Sequence, residues 1–141
     1  MDSIVKKVAG MTNGGNAGSF GGQLMQVLSE SQIQAHVWHL QGTLYSQHMA
    51  LNNYYDSIVD LKDSLLETYQ GLHGTRINGN MDMKIDSSWS ESKPAGYFKS
   101  LRGKLDGMYS NQYVAPGSLK NIMDEIIALV AKTEYLLSLK H

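Results

Sequence analysis

Leu24, Val27, Leu28, Ala35 and Trp38 recur at helical spacing, so the chain's first apolar pattern is one face of a helix. Ser19 or Gly22 starts it and Gly42 ends it, a residue that tolerates the left-handed conformation of a helix C-terminus. Thr43 or Ser46 is placed to cap a second helix. There Leu44, Leu51, Tyr54, Tyr55, Ile58, Leu61, Leu65 and Tyr69 form a broad apolar face, and Gly71 and Gly74 stop it. The opposite side carries His48, Asn52, Asp56, Asp60, Asp63 and Glu67 at steps of three and four, a single polar stripe.

Residues 72–92 are polar, with Trp89 the one large aromatic to anchor them to the body. Pro94 suits the first turn of a third helix bearing Tyr97, Phe98, Leu101, Leu105 and Met108, weakened by Gly96, Gly103 and Gly107. Pro116-Gly117-Ser118 restarts the chain with Ser118 as N-cap. Leu119, Ile122, Met123, Ile126, Ile127, Leu129, Val130, Leu136 and Leu137 then give a strongly apolar fourth helix to the C-terminus. Four amphipathic helices and no strand pattern predict an all-α four-helix bundle, with a long crossover between helices 2 and 3. The tract Asn13-Gly14-Gly15-Asn16-Ala17-Gly18 is a poor helix nucleus, so residues 1–18 are expected as a flexible arm and 19–141 as the bundle domain.

Composition narrows the chemistry. A net charge of −1 argues against broad electrostatic capture of nucleic acid. The absence of cysteine excludes thiolate metal sites, disulfides and cysteine nucleophiles. No apolar run reaches the roughly 18 residues of a membrane span, and Lys6 and Lys7 are followed by no apolar leader segment. The expected location is cytoplasmic, or a host cytoplasm or virion if the chain is phage-encoded. No phosphate-binding glycine loop and no serine nucleophile elbow is present.

Three of the five histidines, His36, His39 and His48, fall within thirteen positions. His36 and His39, three apart with Gln32 beside them, share one side of the first helix and can present two nitrogens to one ion. Such a pair alone is more often an ordinary surface feature. Asp63 lies about 22 Å along the helix from His48 at ~1.5 Å per residue, and Glu67 one helical turn further on. One helix therefore cannot bring them to the ion that His48 meets; different helices or different subunits must. A solvated acidic face is the competing reading. No lysine at i+4 balances the stripe, however, and close carboxylates favour a cation among them. Imidazole with hard oxygen ligands suits iron, manganese or zinc. Tyr55 sits beside this stripe, whereas His73 and His141 carry no such context.

These residues resemble the Dps-like (miniferritin) branch of the ferritin-like superfamily. Trp38 and Gly42 match its pattern, His48 stands one residue early for the second-helix His, and Asp63/Glu67 match its Asp-x-x-x-Glu. Two positions depart: Val37 stands where the family has its first His, and Asn52 where it has an acid. The chain is also similar to a small Dps-like group common in phages. The shared features are His36/His39, His48, Asp63/Glu67 before Tyr69-Gln70-Gly71, and Asp124/Glu125 on the last helix. The match covers roughly residues 31–71 and 118–137.

The resemblance implies a ferritin-like bundle, a homo-oligomer with at least a two-fold dimer, and an iron site between subunits. His36, His39 and His48 would come from one subunit and Asp63 and Glu67 from the other, with iron oxidation or sequestration as the activity. The second hypothesis is a non-catalytic structural or interaction protein, for example a phage component, that retains the bundle. DNA protection ranks last, since the charge balance supplies no basic surface.

Overall fold

The four apolar faces meet in one core. A computed structural model describes residues 14–139. Among these, α1 spans Gly14–Gln41, α2 Tyr45–His73, α3 Lys93–Tyr109 and α4 Gly117–Ser138, with a 3-10 turn at Gln112–Val114 and no strand. Leu24, Leu28, Leu51, Tyr54, Phe98 and Ile126 are among the fully buried side chains that join the helices. Tyr54 carries a hydroxyl into this core. Ser31 Oγ donates to the Leu28 carbonyl at 2.7 Å, so its one proton is committed. Tyr54 therefore donates to Ser31 Oγ, also at 2.7 Å, and burial pushes its ionisation well above the ordinary tyrosine range.

α1 and α2 form a hairpin joined by three residues. At the far end Gly74, with φ of 62°, closes α2 by donating its N–H to the Gln70 carbonyl. The chain then returns along α1 as an extended strap, residues 76–92. Asn78 N donates to Gly18 O at 3.0 Å. Asp82 N donates to Gln26 Oε1, Lys84 N to Glu30 Oε2 and Asp86 N to Gln34 Oε1, at 3.0, 2.8 and 2.7 Å. Trp38 Nε1 donates to Ser88 O at 3.2 Å. Four residues of α-helix rise about 6 Å, and two residues of extended chain advance about 6.6 Å. Every fourth side chain of α1 therefore meets every second residue of the strap. The strap ends at the origin of α2, where Gln47 Nε2 donates to Glu91 O at 2.9 Å. Tyr54 then packs edge-on against Phe98, ring centroids 4.7 Å apart, so α3 follows the direction of α2. α4 runs back, and Leu136 and Leu139 line the same recess as Met49 and Ala50.

The boundaries differ from the sequence expectations at four points. α1 begins at Gly14, five residues before Ser19, so residues 14–18 of the expected flexible arm are helical; residues 1–13 lie outside the described residues. Glycines early in α1 serve close approach: a Cβ on Gly22 would overlap the Asn78 carbonyl oxygen, and one on Gly21 would stand 2.6 Å from Ile77 Cγ2. The α2 N-cap is Leu44, without a side-chain cap, rather than Thr43 or Ser46. α2 continues through Gly71 to His73. The α4 N-cap is Pro116, and Ser118 already lies inside the helix. Pro94 does stand in the first turn of α3, and Trp89 packs on the core and touches the Gly42 position. No described helix is long and apolar enough to cross a membrane.

The three glycines of α3 are exposed, with open space where a Cβ would project. Gly103→Ala is expected to stabilise the chain by about 0.5–1 kcal/mol, because alanine removes backbone freedom from the unfolded state at no steric cost. Chemical denaturation of both proteins checks this, and a lower midpoint would show that the position is needed bare.

Candidate metal centre

The α1–α2 hairpin draws the three histidines into one cluster. His36 and His39 sit on the last turns of α1, His48 on the first turn of α2, and Tyr55 two turns further along. His39 Nδ1 lies 3.0 Å from the His48 carbonyl oxygen, and His48 Nδ1 lies 3.0 Å from the His39 carbonyl oxygen. A carbonyl only accepts, so both Nδ1 atoms carry protons and donate. This reciprocal lock fixes the tautomer, and each neutral ring is left with its lone pair on Nε2. A second hydrogen bond of this kind is what orients imidazole ligands in metal sites.

The rings also stack. Centroids of His39 and His48 are 3.8 Å apart with planes inclined by 23°. His36 lies 4.4 Å from Tyr55 in a second stack, and Tyr55 meets His39 edge-on at 5.2 Å. An imidazole lone pair lies in the ring plane. Two nearly parallel stacked rings therefore aim their Nε2 atoms along separate planes and do not converge on one ion. His36 is exposed, while His39, His48 and Tyr55 are half-buried.

Below this cluster the seam between α1 and α2 is polar. Lys62 Nζ donates to Gln32 Oε1 at 2.8 Å and to Ser29 Oγ at 3.2 Å. Burial draws the Lys62 pKa below the ordinary lysine value, with the charge of Asp63 opposing. Asp63 and Glu67 are exposed on the outer face of α2. Asp63 follows Tyr55 by eight residues, about 12 Å along the helix. The hairpin thus gathers His36, His39 and His48 and leaves Asp63 and Glu67 apart from them. Among the described residues no group of three or more histidines and carboxylates is placed to hold a metal ion. Val37 and Asn52, the two positions that depart from the Dps-like pattern, are half-buried beside the cluster.

Two features escaped the sequence reading. Gln32 stands beside the histidines in sequence and Lys62 at the edge of the α2 pattern, but their pairing runs between two helices and no spacing within one helix reveals it. The signal for the strap was the run Gln26, Glu30, Gln34 and Trp38 at steps of four, a stripe of hydrogen-bonding side chains on a helix otherwise read for its apolar face. At the strap's upper end Asp86 accepts from Ser88 N and Ser88 Oγ and from Lys93 Nζ, which hold its carboxyl at about 2.

Fold and side chains together define an all-helical protein of four packed helices with a histidine cluster at the corner of its first hairpin. The chain belongs to the family of unknown function DUF5856, which it matches over residues 39–137. No curated protein and no solved structure matches it. The matched segment holds α2, α3 and α4 with His39, His48, Asp63 and Glu67, while His36 lies ahead of it.

Proposed function

We propose that the chain is a Dps-like metal-binding protein of ferritin-like architecture whose site is completed between two copies. The reciprocal Nδ1–carbonyl lock of His39 and His48 carries this reading. It prepares two Nε2 lone pairs at a half-buried position, each in its own ring plane and so each the nitrogen donor to a separate ion, while the hard oxygens of Asp63 and Glu67 lie too far along α2 to join them within one chain. An antiparallel second copy would bring its Asp63 and Glu67 toward His36, His39 and His48. Iron suits this mixed donor set, with manganese and zinc as alternatives. Bound iron would supply redox chemistry toward oxygen or peroxide, and the protein's part is to hold it with an open coordination position.

The stacking of the two rings favours a second reading. A pair locked plane to plane serves equally as a corner clasp between α1 and α2 in a non-catalytic structural or interaction protein, for example a phage component. Metal content separates the two. After anaerobic Fe(II) loading, the wild type is expected to hold stoichiometric iron per subunit. Asp63→Ala/Glu67→Ala and His39→Ala/His48→Ala should each lose at least about tenfold in iron affinity, the scale on which removed ligand-shell groups act, and so retain less iron after desalting. Circular dichroism verifies that the variants fold. A wild type without iron leaves the clasp as the function of the histidines.

A further inference from the structure

The strap presents a second edge. In an extended chain the N–H and C=O of alternate residues point to opposite sides. The backbone at Asp82, Lys84 and Asp86 is engaged by α1, so that at Met81, Met83 and Ile85 faces away. Among the described residues no hydrogen bond reaches these three backbone positions. The segment contains no proline and no bend over residues 80–90, so it lacks two features that usually blunt an exposed edge. Met81 and Met83 are 41% and 39% exposed, and the side chains of Lys84 and Asp82, which meet each other at 3.4 Å on the same face, are 84% and 86% exposed and reach solvent.

We propose that this edge pairs with the same edge of a second copy, antiparallel, about a two-fold axis at Met83. That register sets Met83 against Met83 of the second copy and Met81 against its Ile85, and each of these outward-facing pairs exchanges two main-chain hydrogen bonds, about six in all. Parity then places Asp82 opposite Lys84 of the second copy, twice. One face of the ribbon becomes wholly apolar, from two copies of Met81, Met83 and Ile85. The other carries two opposed charge pairs. A two-fold at Asp82 or at Lys84 would oppose like charges at its centre, which disfavours both neighbouring registers. The partner is thus a second copy of this chain, selected by main-chain pairing and by the order of charges. The inference does not rest on the metal reading, since none of these residues is a candidate ligand.

The natural chain contains no cysteine, which makes single-cysteine variants a direct test. Hydrogen-bonded antiparallel pairs have Cα atoms about 5.5 Å apart, inside the disulfide range of about 4.4–6.8 Å. Met83→Cys should therefore oxidise readily to a disulfide dimer. A mixture of Met81→Cys with Ile85→Cys should give mainly the mixed dimer, and exposed Ser100→Cys on α3 should stay reduced longest. Sedimentation velocity reads the charge order. Asp82→Lys should weaken self-association about tenfold, and Asp82→Lys/Lys84→Asp should restore it. Equal oxidation at all four sites overturns the proposal, as does a double variant no better than the single one. A monomeric wild type with its position-83 cysteine protected would mean that the edge is covered from within the chain, and also overturns it.

Discussion

Gly22→Ala is expected to destabilise the protein by about 3 kcal/mol or more, the upper range for forcing a carbon into a filled site. For a chain of this size that lowers the thermal midpoint by roughly 10 °C. The cause is local and steric: the new Cβ would overlap the carbonyl oxygen of Asn78. Backbone on both sides leaves no flexible side chain to swing away. The strap would have to lift, breaking the bond from Asn78 N to Gly18 O. Alanine also favours helix over glycine by about 1 kcal/mol, so the predicted sign opposes propensity. A thermal melt followed by circular dichroism decides it, and an unchanged or raised midpoint would remove the close contact from consideration. The contrast with Gly103→Ala, the same change in open space, isolates contact from propensity.

Gln34→Leu is expected to cost about 2 kcal/mol and to free the middle of the strap. Gln34 is 1% exposed. Its Oε1 accepts from Asp86 N at 2.7 Å and its Nε2 donates to Asp86 O at 2.8 Å. One amide thus saturates both backbone groups of one residue. Leucine fills a similar volume but leaves that N–H and C=O without protein partners, and the loss of two part-buried bonds is worth about 1 kcal/mol each. Gln26→Leu, whose single bond to Asp82 N is exposed, should cost clearly less. Amide hydrogen exchange shows where the loss falls: protection at Asp86 should collapse in Gln34→Leu while that of α4 persists. Retained protection at Asp86 would assign the strap's hold to other contacts.

The helices were legible because each carries a one-sided apolar pattern that a single core explains. Leu51, Tyr54 and Ile58, or Met123, Ile126 and Val130, are buried as their spacing predicts. The start of α1 was not legible. Glycine is read locally as a weak helix former, whereas Gly18, Gly21 and Gly22 are used for a contact with residues 76–78 far along the chain. Caps failed for a related reason. Thr43, Ser46 and Ser118 have the right chemistry, but the α1–α2 turn starts one helix at Tyr45, and the 3-10 turn followed by Pro116 starts the other at Gly117. Of the candidate site, the meeting of His36, His39 and His48 follows from a short turn between two helices. The reciprocal bonds and the stack do not, because they depend on rotamers that spacing leaves open. The distance of Asp63 and Glu67 from the histidines followed from helical rise alone.

The strap has a spectroscopic consequence. The chain has two tryptophans, and both stand at the strap's upper end, where Trp38 donates its indole N–H to Ser88 O and Trp89 lies against Gly42. Intrinsic indole emission therefore reports the seating of residues 86–90 on the end of α1, while far-ultraviolet dichroism reports the helices. The molecule carries its own optical probe of the one extended segment in an otherwise helical fold, and comparing the two signals through unfolding separates release of that segment from loss of the bundle.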